Sequence, residues 1–306
     1  FENNDFDNAL STVEKALNND QKNLPLWLFK IKIHAKQNKI EAVTGDYQSL
    51  IALYPDADNL KLSLASIYAM TDKLEQAEAL LREMVLKNQD RLEQKIILLE
   101  FLQAKRKDQV VPEFNAMLSA SQSKPSNMLE LSKWMLASGY VDDALLALKS
   151  VVDLEKNSNV GLSAKSVLAE IALNKNQLNE AEKAIDEILQ ANSDFADASL
   201  LKARLLMTRD RVDEAIELLN KVIWSQKDSD NGYWLLGQAY VIKKDKKQAD
   251  KNFKQALDIN PANIGAFTPV YTGYLQANQK ENARQVLEKA LAKKPNNLLL
   301  LTSKAD

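Results

Sequence analysis

The sequence predicts an all-α solenoid, in which antiparallel helix pairs stack one after another. Apolar residues recur at helical spacing through nearly all of the 306 residues, and the pattern itself repeats at an almost constant interval. Only 7 Gly and 7 Pro are present and 45% of the residues are hydrophobic, so few positions interrupt a helix. No stretch competes as a strand pattern. These three observations set the fold class.

The repeating unit is clearest in Tyr233–Pro261. One helical face carries Tyr233, Leu236, Gly237 and Tyr240, and a second face, after a basic break, carries Ala249, Phe253 and Ala256. Neither helix can bury its stripe alone, so we expect a helical hairpin. Gly237 and Ala249 leave room for close approach of the two backbones, and Phe253 fills the space between them. Pro261 ends the second helix.

Residues equivalent to Ala249 recur along the chain, and each opens an apolar stripe: Ala9, Val43, Ala77, Val110, Ala144, Ala181, Ala215 and Ala283. The successive differences are 34, 34, 33, 34, 37, 34, 34 and 34. We therefore predict one solenoid over residues 1–306. Its parts are a second helix of a partial repeat at 1–23, full repeats at 24–57, 58–91, 92–124, 125–161, 162–195, 196–229, 230–263 and 264–297, and the start of a further helix at 298–306.

Two irregularities interrupt the period. One residue is missing within 103–109, and three are added around 155–161, where the sequence EKNSNVG has no periodic apolar residue. We expect both changes to lie in turns, which tolerate them. The chain opens with Phe1 in the turn before a second helix and closes at Asp306 inside an apolar helix, so we expect it to be a segment of a longer array.

Composition excludes several classes of function. The 40 basic and 42 acidic residues give a net charge of −2, which provides no field to hold nucleic acid. No apolar run approaches the ~20 residues of a membrane-spanning helix. Without Cys, disulfides and thiol chemistry are excluded in this sequence. Lys105–Lys107 and the turn Lys243–Lys247 are interpreted as solvated loops.

The sequence offers few residues that could support catalysis. His34, the only histidine, occupies the position of Tyr240 in its repeat, so we expect it to pack between helices with one polar tip in water. Carboxylates have the spacing of helix surfaces, and no glycine-rich phosphate loop occurs. We predict no catalytic residue, no cofactor, no metal and no enzyme activity.

The order aromatic, Leu-Gly, Tyr, then Ala, aromatic, Ala and Pro resembles the tetratricopeptide repeat, in particular bacterial proteins with many repeats. The resemblance implies a right-handed superhelix whose first helices line a concave groove that holds another protein or peptide. Transferred position by position, it gives thirteen candidate groove residues: Lys32, Leu62, Ser66, Glu100, Leu129, Lys133, Glu170, Leu200, Arg204, Met207, Trp234, Gln238 and Val241.

Trp234 has two interpretations. It lies one residue past Tyr233, on the side that the resemblance assigns to the groove, so it is a candidate anchor for a ligand. Alternatively it is half-buried against the adjacent repeat. The Lys-then-Asn pair with which chaperone-adaptor members hold a partner's terminal carboxylate is missing from the equivalent positions, so that role is disfavoured.

The leading functional hypothesis is a non-catalytic scaffold that binds a protein segment in the groove. One alternative is a recognition or assembly segment of a larger protein of the bacterial envelope, such as one for exopolysaccharide export. Another is a repeat array that associates with its own copies through its ends. The sequence fits the bacterial periplasm, envelope or cytoplasm, and we favour the periplasm.

Overall fold

The computed structural model describes residues 5–303, and within that range it contains helices joined by short turns and no strand. In chain order the helices are α1 Phe6–Asn19, α2 Leu24–Lys36, α3 Ile40–Leu53, α4 Asp58–Met70, α5 Leu74–Lys87, α6 Leu92–Lys105, α7 Val110–Ala120, α8 Pro125–Ala137, α9 Val141–Glu155, α10 Asn159–Asn174, α11 Leu178–Ala191, α12 Ala196–Thr208, α13 Val212–Ser225, α14 Asp230–Ile242, α15 Lys246–Ile259, α16 Ile264–Gln276, α17 Lys280–Lys293 and α18 Leu298–Thr302. The predicted chain start at residues 1–4 and the last positions, 304–306, lie outside this range.

From α2 onward the helices alternate between the first and second members of a pair. Seven of the eight full pairs begin at the residue where the period places a repeat, as α12 does at Ala196 and α16 at Ile264. The exception is α10, which begins at Asn159 and not at residue 162. The expectation of a turn through 155–161 is therefore wrong in its last part. The Ser158 side chain caps the backbone N–H of Gly161, so the three added residues form an extra turn of helix.

The turn inside each pair depends on one residue with left-handed backbone. In seven of the eight pairs this residue has a positive φ: Asn38, Asp72, Gly139, Asn176, Asp210, Lys244 and Asn278. Gly, Asn and Asp tolerate that conformation best, because a short or absent side chain avoids the clash with the backbone. The third pair has one residue fewer, and a short 3₁₀ turn at Lys107–Gln109 replaces the left-handed residue.

The positions that set the period form the core. The equivalents of Ala249 from Val43 to Ala283 are all buried, and alanine at most of them lets two helix backbones approach closely. Phe253 is also buried, on the same face of α15 one turn further along.

Contacts divide the chain into an N-terminal unit that runs to Ala144 and a C-terminal unit that begins at Leu145. Around α2, α3 and α4, the core of the N-terminal unit includes Ile31, Val43 and Leu50. In the C-terminal unit, an aromatic core that includes Phe253 and Phe267 forms around α15, α16 and α17. Among the described helices, none is both long and apolar enough to cross a membrane.

Candidate functional site

An apolar recess in the C-terminal unit lies along three successive first helices, α12, α14 and α16. It has a volume of about 690 Å³. Its lining residues are Arg204, Met207, Thr208, Gln238, Val241, Ile242, Phe253, Gly265, Thr268 and Pro269. Four of the thirteen predicted groove residues, Arg204, Met207, Gln238 and Val241, are thus brought together. We call this recess the inner cavity.

At one lining residue of the inner cavity, Phe253, a glycine lets an aromatic ring lie against a helix backbone. A Cβ atom on Gly237 would lie 2.6 Å from Cδ1 of Phe253, far inside contact distance. The Phe253 ring therefore occupies the volume that a side chain at position 237 would take, and its accessible edge lines the cavity. This is the packing that the Leu-Gly pair of α14 predicted.

Trp234 does not line the inner cavity. The indole is partly buried and packs on α16, where a Cβ on Gly265 would lie 2.4 Å from its Nε1 and Cε2 atoms. The second interpretation, half-burial against the adjacent repeat, is the one that the structure supports. Its Nε1–H is buried and has no hydrogen-bond partner among the described residues.

Gly265 and Pro269 of α16 also line the inner cavity. Gly265 is exposed, and the helix runs without interruption from Ile264 to Gln276 although it contains Pro269. Proline has no N–H, so the carbonyl of Gly265, four residues earlier, lacks its usual helical donor. The resemblance did not assign Gly265 or Pro269 to the groove, although a proline inside a helical pattern was visible in the sequence.

Arg204 is the only charged residue in the lining. Its Nη1 donates to Oε1 of Glu170 at 2.9 Å, and its Nη2 donates to Oδ1 of Asn174 at 2.9 Å, both on α10. These contacts fix the guanidinium at the edge of the cavity. They use two of the five N–H donors that an arginine carries.

The remaining predicted groove residues are not part of the inner cavity. In the C-terminal unit, Glu170 is exposed and pairs with Arg204, and Leu200 packs against the core of α12 to α14. In the N-terminal unit, Lys32, Ser66 and Glu100 are exposed, while Leu62 is half-buried.

Two further residues of the N-terminal unit differ in what they can offer a partner. The Nζ of Lys133 bonds Oε1 of Glu130 at 2.8 Å, one turn earlier on α8. Leu129 is 5% exposed, so the expectation that it meets a partner is wrong. Its apolar side chain is used for packing between helices, as part of the apolar character of such positions must be.

His34 is buried, as its position in the repeat predicts, and one of its two ring nitrogens contacts a carboxylate. Its Nδ1 lies 2.6 Å from Oδ2 of Asp46, and Nζ of Lys30 lies 3.2 Å from the other oxygen of that carboxylate. The imidazole is thus part of a buried charge cluster between α2 and α3. Within residues 5–303, no group of three His, Cys, Asp or Glu side chains is placed to hold a metal ion.

Comparison with known proteins identifies the repeats and the fold. Two family models, both described as tetratricopeptide repeat, match residues 167–232 and 231–263. No curated protein sequence matches the chain.

Among solved structures, the APC/C hetero-tetramer Cut9–Hcn1 matches 97% of this chain at 12% identity with a TM-score of 0.51. Yeast Tom70 matches 95% at 16% identity with a TM-score of 0.53. The matched regions span 58% and 62% of those two chains. At these identities the likeness concerns the fold, a solenoid of helix pairs.

Proposed function

We propose that this chain, with its tetratricopeptide repeats, binds a segment of another protein in the inner cavity. The proposal assigns no bond-making or bond-breaking step to the chain. It concerns only recognition by a preformed surface on α12, α14 and α16.

The observation that carries the proposal is exposed apolar surface beside the cavity. Val241 is 56% exposed and Ile242 is 47% exposed, although both are large apolar residues at the end of α14. Both residues line the recess of about 690 Å³. Apolar surface around a recess of this size is typical of a site that a ligand covers.

The lining favours a protein segment over a substrate that undergoes a reaction. It contains one charged side chain, Arg204, and three neutral polar residues, Thr208, Gln238 and Thr268. No acid–base pair and no nucleophile with an adjacent base lies among these residues. Apolar walls with a few polar groups suit the side chains of a helix or extended segment seated in a groove.

Photo-crosslinking in the source cells tests the proposal. A photoreactive amino acid replaces Gln238, which lines the cavity, and in a matched control it replaces Trp224, which is 83% exposed on α13 and not part of the lining. We expect a protein adduct from position 238 that is missing from position 224.

The same adduct must depend on the cavity wall. The double variant Val241→Ala with Ile242→Ala should remove it while leaving the helical circular dichroism unchanged, because both residues are exposed. Equal adducts from positions 238 and 224, or no adduct from 238, would contradict the proposal. An adduct with the mass of two copies of this chain would show that the cavity binds a second copy and not another protein.

A further inference from the structure

We infer that the segment bound in the inner cavity is acidic and internal to its chain, with an apolar side chain seated against Val241 and Ile242 between flanking carboxylates. This inference rests on the proposed function and specifies the chemistry of the partner. Three features of the C-terminal unit support it.

The first feature is the position of Arg204. It is the only charge in the lining, and two contacts to α10 hold its guanidinium in place. Glu170 neutralises part of this charge, but three N–H donors of the guanidinium are not used in those two contacts. A carboxylate that approaches the cavity therefore meets a fixed cation with donors suited to it.

The second feature is the turn that follows Ile242. It contains four lysines and one aspartate, KKDKK, at positions 243–247. Lys243 pairs with Asp213 at 2.7 Å, and Asp245 caps the N-terminus of α15. Lys246 and Lys247 are exposed in the first turn of that helix.

Lys246 and Lys247 lie where the helix dipole of α15 disfavours positive charge. The positive end of the helix dipole disfavours cations in a first turn. Each of the other second helices, from α1 to α17, begins with at least one Asp or Glu in that turn, whereas α15 has none. The lysines thus weaken the helix start and add exposed positive charge four and five residues after the lining residue Ile242. An acidic partner supplies a reason for that arrangement, and this revises the interpretation of residues 243–247 as a solvated loop alone.

The third feature is the wall formed by α16. Pro269 leaves the carbonyl of Gly265 without its usual helical donor, and Gly265 is exposed within the lining. A bound peptide can donate a backbone N–H there, whereas an acyl chain cannot. This favours a peptide over an acyl chain. A backbone N–H occurs at internal positions of a peptide, so the contact does not require a C-terminal carboxylate.

The probes are short peptides blocked by N-acetyl and C-amide groups. The test peptide has one leucine between aspartates in a Gly/Ser background. In one control peptide the aspartates are asparagines, and in a second the leucine is alanine. Calorimetry with the full chain should show binding of the test peptide. Each control peptide should bind about tenfold more weakly or worse, since both the charges and the apolar anchor contribute.

Matched variants assign the binding to the cavity. Arg204→Gln should weaken the test peptide about tenfold, whereas Lys202→Gln, on the same helix but paired with Asp186 and Glu182, should leave it unchanged. Lys246→Gln with Lys247→Gln should reduce the affinity severalfold and flatten its dependence on salt.

The failures of the two proposals are distinguishable. If the asparagine peptide binds as well as the aspartate peptide, or if no peptide binds at millimolar concentration, the acidic-segment inference is wrong while a position-238 adduct still supports the proposed function. If a single-stranded oligonucleotide of the same charge binds better than the peptide, the occupant is a nucleic acid and the inference is also wrong. Binding that Val241→Ala with Ile242→Ala leaves intact excludes the inner cavity and contradicts both proposals.

Discussion

The two units of this protein fill the same kind of helix hairpin with different chemistry. In the N-terminal unit, ionisable side chains lie in the core: His34, Asp46, Lys61 and Lys95 are all buried. In the C-terminal unit, the buried polar residues of the described range are the uncharged Ser166, Ser199, Asn252 and Asn263. There, rings on glycines fill the spaces, Phe253 on Gly237 and Trp234 on Gly265.

The comparison teaches that the repeat geometry does not dictate how its interior is stabilised. A buried charge depends on its partner, because desolvation is expensive when the partner is lost. A ring seated on a glycine depends on volume, because an added methyl group has nowhere to go. The two units should therefore respond to different substitutions.

Phe253→Ala should be the most damaging change. The ring fills the space above Gly237 and is 4% exposed, and truncation of such a core aromatic costs about 3 to 5 kcal/mol of unfolding free energy. Urea unfolding followed by circular dichroism measures this. Gln255→Ala, exposed on the same helix, is the control and should change stability by less than about 0.5 kcal/mol. Equal effects would show that the ring is not a core element.

Asp46→Asn should cost about 3 kcal/mol in the N-terminal unit. The substitution leaves the buried His34 and Lys30 without their shared carboxylate, and breaking a buried pair is expensive. Glu14→Gln removes the exposed carboxylate 3.4 Å from the same lysine and should cost at most about 1 kcal/mol. Chemical denaturation of both variants gives the comparison, and a loss near zero for Asp46→Asn would mean that water reaches the cluster.

Gly265→Ala should cost about 1 to 3 kcal/mol, because its Cβ would lie 2.4 Å from the Trp234 indole. Gly273→Ala, on the same helix, meets no atom within 4 Å and should stabilise by about 0.4 to 1 kcal/mol. Thermal unfolding measures both stability changes. If Gly265→Ala lowers stability and Gly273→Ala raises it, contact with Trp234, and not helix propensity, decides the effect. Stabilisation by both changes would place the indole elsewhere.

Lys95 provides the smallest and most specific test. Burial lowers the pKa of its amine from the ordinary 10.5, and its Nζ donates to Oγ of Ser121 at 2.6 Å. Between the lowered folded pKa and the unfolded value, the unfolded chain binds more protons, so this residue makes stability rise with pH in that window. Below the folded pKa both states are protonated and the contribution is constant.

Lys95→Met removes that titration. The difference in unfolding free energy between the native chain and the variant should therefore shrink as the pH rises toward the ordinary lysine pKa of 10.5. The variant should be the more stable protein at the lower pH, since a buried charge is replaced by an apolar chain of similar length. A difference that does not change with pH would show that the amine is solvated in the folded state.

Much of the fold could be predicted from the sequence because helix pairs are local structures. The period of the Ala249 equivalents and the helical stripes determine where helices begin, and the burial of Val110, Ala181 and Ala283 follows from the same periodicity. The three residues added near Gly161 could not be placed this way. Non-periodic residues extend a helix as readily as they lengthen a turn, and the Ser158 cap decided between the two.

The candidate site was predicted in part. Position by position, the resemblance selected Arg204, Met207, Gln238 and Val241, which do share one cavity. It also selected Trp234 and Leu129, whose side chains are used for packing. A residue's place in the repeat specifies the direction of its side chain from the helix, but not whether a neighbouring helix already fills that space.

The sequence by itself determined the class of this protein, because amphipathic periodicity is a property of each helix and needs no knowledge of its neighbours. It also determined the chemistry available, with no cysteine, a single histidine and balanced charge. Only the tertiary structure decided which surface is open. The ring of Phe253 lies on Gly237 of the preceding helix, and the ring of Trp234 lies on Gly265 two helices further along. Whether such a ring is an anchor for a partner or part of the core depends on the packing distance between those helices.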